Sequence, residues 1–215
     1  MPMRRTWLSM PILLCSAAPL CAAPSEGVDA GWILQRIARP APASTGFVEL
    51  RGSALLKTPL RVEGRYARPD ADTLVREVSA PYRETTTLRG GQATLERQGK
   101  PPRRFALDKV PELAALQDSF GAILSGDRRL LEQHYVLAAE GSRQQWRMQL
   151  KPKDAALAQR LREVRLFGRG AELRCIESEP AKGDMQRTLL AGAAEQAQQV
   201  ADADALAALC HGQRQ

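Results

Sequence analysis

"LRVEGRYARPDADTLVREVSAP", residues 60–81, decides the fold. Leu60, Val62, Gly64 and Tyr66 share one side of an extended chain, while Arg61, Glu63 and Arg65 share the other. That two-residue period is the mark of a strand with one buried face. "RPDAD" is turn chemistry, because aspartates bond to nearby backbone and proline presets the bend. "TLVREVSA" then resumes the strand pattern, so the stretch reads as an antiparallel hairpin.

Outward from the hairpin the same punctuation repeats. Strands are expected at about 45–56, 59–67, 73–79, 82–89, 92–98 and 103–107, separated by "KTP", "RPDAD", "AP", "RGG" and "GKPP". Such short gaps make sequential strands antiparallel neighbours. At "KVPELAALQDSFGAILSGD", residues 109–127, the period changes to a helical one, with Val110, Leu113, Phe120, Ile123 and Leu124 on a stripe, and "DRRLLEQ" extends it. Strands return at about 134–139 and 144–151, the second alternating Trp146, Met148 and Leu150 against Gln145, Arg147 and Gln149. A short helix, "DAALAQRLR", precedes three more strands at about 162–168, 171–178 and 184–190, and an alanine-rich tail follows. Upstream, "DAGWILQRIARP" reads as a short helix.

About eleven antiparallel strands with few helices make an α+β, mainly β chain. A sheet that wide must curl or close, and its apolar face must be covered. The helices at 110–133 are the expected cover. They are too small to fill the surface, so the reading is a curled, incompletely closed β-barrel with a helical lid over an apolar cavity.

The N-terminus has a different purpose. "MPMRRTWLSMPILLCSAAPLCAA", residues 1–23, has two arginines, an apolar run and small residues, the layout of a cleaved export signal. Leu14 precedes Cys15 and Leu20 precedes Cys21, which does not suit lipidation. The expected product is a non-lipidated periplasmic protein, with the folded domain at 24–192 and the tail at 193–215. Removal of the signal leaves two cysteines, Cys175 in "AELRCIESE" and Cys210 in "DADALAALC". In an oxidising compartment an isolated pair forms a disulfide, which would tie the tail to the sheet. The rival reading, a metal held by Cys210 and His211, lacks third and fourth ligands nearby.

The net charge is +7. It is spread along strands as "VEGR" and "RQQWRMQ" without a basic block, so nucleic acid is not the expected partner. No nucleophile elbow, zinc-protease helix or phosphate loop is present, and His134 and His211 lack a nucleophilic neighbour in sequence. We expect no catalytic residues, metal or cofactor.

The order of elements resembles the LolA-type periplasmic lipoprotein carriers. The pieces that carry the resemblance are "GFVELRGSALL", the hairpin at 60–81, "LQDSFGAILSGD" and "WRMQLKPKD". It implies a monomeric carrier, not an enzyme, that accepts acyl chains of lipoproteins or another lipid-tailed cargo. An inner-membrane exporter would supply the cargo and an outer-membrane receptor would take it. The alternative is a periplasmic sensing adaptor with the same fold; an esterase-like enzyme is a third reading. In the family, an arginine after the second strand helps to latch the empty lid. "YARP" occupies that place, which assigns the latch to Arg68 and the turn to Pro69. The expected cavity residues are Leu50, Leu56, Val62, Tyr66, Leu74, Phe120, Ile123, Leu124, Trp146, Met148 and Leu150. Low aromatic content, 5%, departs from the family pattern, as do the disulfide and the tail. These differences bear on the cargo more than on the fold.

Overall fold

The computed structural model describes residues 27–51, 60–107, 121–198, 200 and 202–212. The export signal, Leu56, Val110, Leu113 and Phe120 lie outside the described residues.

Eleven strands form one antiparallel sheet in the order β6-β5-β4-β3-β2-β1-β11-β10-β9-β8-β7. They are β1 Ala43–Arg51, β2 Leu60–Arg68, β3 Thr73–Ala80, β4 Glu84–Arg89, β5 Gln92–Arg97, β6 Arg103–Ala106, β7 Tyr135–Gly141, β8 Trp146–Pro152, β9 Leu161–Arg169, β10 Glu172–Pro180 and β11 Gln186–Leu190. The opening hairpin is β2–β3, paired from Ala67↔Val75 to Glu63↔Ala80. The chain meanders down to β6, then starts again at β7 from the opposite edge. β11 returns to pair with β1, Phe47 opposite Leu190. Among the described residues β6 and β7 are unpaired edges, and the sheet is not closed.

The sheet is curled. Side chains from β4, Glu84 and Leu88, line the same hollow as Ile176 and Ser178 of β10. Five inter-strand steps separate those strands, roughly 24 Å in a flat sheet. Only curvature brings them around one space.

Five helices complete the described chain: α1 Ala30–Ile37, α2 Arg128–His134, α3 Ala155–Ala158, α4 Ala191–Ala197 and α5 Ala203–Cys210. Residues 121–125 are also helical. The first helix starts where Asp29 accepts the Trp32 amide at 3.0 Å, a side-chain cap worth about 1 kcal/mol. It buries Ile33, Leu34 and Ile37. They join Phe47, Val62, Val78, Ile123, Trp146, Met148, Leu150 and Leu166 in one core on the concave face.

Gly64 explains how this face packs. A Cβ there would sit 1.9 Å from the Glu77 carbonyl oxygen and 2.9 Å from the Phe47 ring. Its absence lets Phe47 lie across β2 and meet Tyr66, with ring centroids 4.7 Å apart.

The convex face has its own core. Val48, Cys175 and Leu189 pack against Ala193, Ala194 and Ala197 of α4 and Leu206 and Cys210 of α5. Alanines let α4 approach the sheet closely. Arg61 closes the helix end by donating to the Ala197 carbonyl at 2.7 Å. Cys175 and Cys210 form a disulfide with Cα atoms 5.1 Å apart. The tail therefore covers an apolar patch of the sheet and is pinned there.

The structure corrects two readings. Leu50 was expected in the cavity, but it packs with the convex-face cluster. The residues of β1 that face inward are Phe47, Glu49 and Arg51. His134, expected to begin a strand, ends α2.

Candidate functional site

The concave face and the helical cover meet around an apolar pocket. It holds about 80 Å³ and is lined by Tyr66, Leu74, Ile123, Leu124, Leu173 and Leu190, with Arg39 and Arg68 among its borders. Tyr66 and Leu74 arrive on the inward sides of β2 and β3, Leu190 on that of β11. Ile123 and Leu124 come from the helical residues 121–125. These follow from strand and helix periodicity.

Arg68 joins the strand end to the cover. Its Nη1 donates to the Arg39 carbonyl at 3.1 Å. The Arg39 amide donates to the Leu124 carbonyl at 2.9 Å. The bonds thus run from β2, through the segment that leaves α1, to the helical residues over the pocket. Arg39 also reaches β10's entry, donating to the Ala171 carbonyl at 2.7 Å. Arg68 Nε is buried without a hydrogen-bond partner among the described residues. Gly126, at φ +73, ends this helical segment against α1; a Cβ there would be 3.1 Å from both Leu34 O and Ala38 Cβ. The backbone turn is one that glycine adopts without strain.

Residues 22–213 match a family described as outer membrane lipoprotein carrier protein LolA-like. The chain belongs to that LolA-like family. No curated protein matches the sequence. Among solved structures, a LolA superfamily protein from Nitrosomonas europaea is similar at 12% identity and a TM-score of 0.39, over 76% of this chain and 91% of that one. LprF from Mycobacterium bovis is similar at 14% identity and a TM-score of 0.33, over 76% and 91%. The family's description is that of lipoprotein carriers. Among the described residues, no helix is long and apolar enough to cross a membrane.

The expected cavity residues of this LolA-like chain divide into groups. Tyr66, Leu74, Ile123 and Leu124 line the pocket. Val62, Trp146, Met148 and Leu150 are on the concave face but lie within the closed core, at most 2% exposed. Trp146 also spends its indole N–H on the Gly170 carbonyl at 3.0 Å. Leu50 is on the other face, as described above.

A second, wider hollow of about 260 Å³ adjoins the pocket, and Tyr66 and Leu74 line both. Its wall is charged. Glu49, 4% exposed, accepts from Arg76 Nη2 at 3.0 Å and from Arg51 Nε. Arg76 lies over the Phe47 ring, 4.8 Å from its centroid. Glu84 is paired with Arg97, whose Nε is 2.8 Å away. Burial pushes the Tyr66 phenol above its ordinary pKa, opposed by the charge of Arg76. Burial works to lower the Arg51 pKa, but its bond to Glu49 and that carboxylate's charge outweigh it and leave the guanidinium above its ordinary value.

Sequence reasoning missed these ionic residues. Placing Leu50 inward put Glu49 and Arg51 outward by the same alternation. One signal pointed the other way. The expected disulfide needed Cys175 on a face covered by the tail. Cys175 pairs with Leu189, and Leu189 with Val48, so that covered face is also the face of Leu50.

The possible metal ligands Glu177, Cys210 and His211 also come together. Cys210 is committed to the disulfide. His211 Nε2 lies 3.0 Å from Glu177 Oε1, and Glu177 is further bound by Arg165 and Arg187. This is an ionic clasp beside the tail rather than a vacant donor set.

Proposed function

We propose that this LolA-like protein is a periplasmic carrier that shields the acyl chains of lipoproteins, or of another lipid-tailed cargo, and moves them from the inner toward the outer membrane. An export signal at 1–23 delivers it, and it works as a monomer between an inner-membrane exporter and an outer-membrane receptor. No catalytic step is needed.

The observation that supports this reading is the apolar pocket beneath the helical residues 121–125, bordered by the Arg68–Arg39–Leu124 chain of bonds. At about 80 Å³ the pocket falls well short of the roughly 300–1,000 Å³ of sites that enclose a drug-sized ligand. A full acyl chain requires the cover to move. Each methylene then buried contributes about 0.8 kcal/mol, enough to offset a few broken hydrogen bonds. Arg68 is thereby the latch of the empty state.

Two measurements test it. Native mass spectrometry of protein purified from the periplasm should reveal bound lipid or lipoprotein, identified after extraction. Added to spheroplasts, the protein should release lipidated cargo and deliver it to outer-membrane vesicles. Absence of bound lipid together with absence of release would reject the carrier.

A further inference from the structure

We infer that the cargo is an amphiphile with an anionic head, held in the charged hollow while its chain occupies the neighbouring apolar pocket. This deepens the carrier reading and rests on it.

The two spaces share the walls Tyr66 and Leu74, so a head in one and a chain in the other belong to one molecule. The hollow is mixed: Leu74, Leu88 and Ile176 line one part of it, and polar groups the rest. Glu49, Arg51, Arg76 and Glu84 stand in its wall. Ser178, Gln186 and Thr188 join them. Hydrocarbon placed against these polar groups would strip their water without replacing its hydrogen bonds. A polar head answers them.

The sign of the head follows from the charges. Glu84 is matched by Arg97. Glu49 faces two guanidinium groups, those of Arg51 and Arg76. One positive charge is left over. Arg51 is the more open of the two, with its side chain 39% exposed against 15% for Arg76. It can turn toward a carboxylate or phosphate while Arg76 keeps Glu49. Arginine's planar donors suit either anion.

The test uses the delipidated mature protein, with its disulfide intact, loaded with the neutral fluorescent probe N-phenyl-1-naphthylamine. Dodecyl phosphate, dodecyltrimethylammonium and inorganic phosphate compete below their micelle concentrations. We expect dodecyl phosphate to displace the probe at least tenfold better than the cation, an advantage that shrinks with added salt. Inorganic phosphate should displace nothing. Arg51→Gln should cut the anion preference several-fold, whereas Glu49→Gln, which releases both arginines, should raise it. Equal competition by anion and cation overturns the inference and leaves the carrier intact. So does displacement by inorganic phosphate alone, which would mark a site for free anions. So does a preference unmoved by Arg51→Gln, a partly exposed position whose change leaves the core untouched. If neither the probe nor any amphiphile binds, the carrier reading fails as well.

Discussion

Arg68 and Arg39 are 29 positions apart in sequence, yet the guanidinium of one is bonded to the carbonyl of the other at 3.1 Å. That carbonyl belongs to the residue whose amide holds Leu124. Replacing Arg68 with leucine removes the side-chain donor and leaves the backbone bond. A hydrogen bond from a charged group contributes more than a neutral one, but this one is exposed, so the loss in stability should be about 1 kcal/mol or less. The larger effect should be on access. Stopped-flow uptake of an apolar fluorophore should become faster in Arg68→Leu than in wild type, and identical uptake rates would rule out a latch.

Gly64 should tolerate no side chain. With 1.9 Å available to the Glu77 carbonyl oxygen, Gly64→Ala forces β2 away from β3 or displaces the Phe47 ring. Overpacking of this kind costs about 1–3 kcal/mol. Urea unfolding followed by tryptophan fluorescence should show a lower midpoint. Gly46 in β1, where a Cβ would come no nearer than 3.9 Å to the Gly64 carbonyl oxygen, supplies a comparison within a strand.

The Cys175–Cys210 bridge spans 35 positions. A loop of that length corresponds to about 4 kcal/mol of restricted unfolded-chain entropy. Cys175→Ala with Cys210→Ala should therefore lower the thermal midpoint, and reductant should shift wild type but not the double variant. The convex-face core around Leu206 should loosen first, which hydrogen exchange of α4 and α5 would register. Uniform exchange across the sheet and tail would contradict this order.

Glu163 makes stability depend on acid. Its burial tends to raise the carboxyl pKa, but hydrogen bonds from Arg165 and Gln149, with the charge of Arg165, hold it below the ordinary value. A carboxyl depressed in the folded state stabilises the fold above its unfolded pKa of about 4.3, and that contribution disappears as pH falls through the lower folded value. Denaturation at stepped pH from 6 to 2, as approximate bounds around that range, should show less loss in Glu163→Gln than in wild type. Equal slopes would remove Glu163 from the acid response.

Much of the architecture could be read in the chain. Alternation at 60–66 and 146–150, with turn residues between runs, identifies strands because the pleat forces side chains to opposite faces. The change of period near Ile123 and Leu124 marks the cover for the same kind of local reason. The cysteine pair pointed to the bridge that pins the tail. The pocket residue Tyr66 was also reachable, since β2 carries Arg61, Glu63 and Arg65 on its other face, whereas Leu74 shares its face with Arg76.

Position 50 shows where that reading stopped. Along β1, Phe47 and Val48 are both buried, on opposite sides, so each face has an apolar anchor and alternation does not say which one is concave. Sequence alone determined that β1 is a strand with an apolar side. Which side faces the hollow was decided by the tail, since α4 and α5 cover Val48 and Leu50 and leave Glu49 and Arg51 to turn inward. A local period sets the spacing of side chains, but its phase depends on what packs against each face, and those partners come from the far end of the chain.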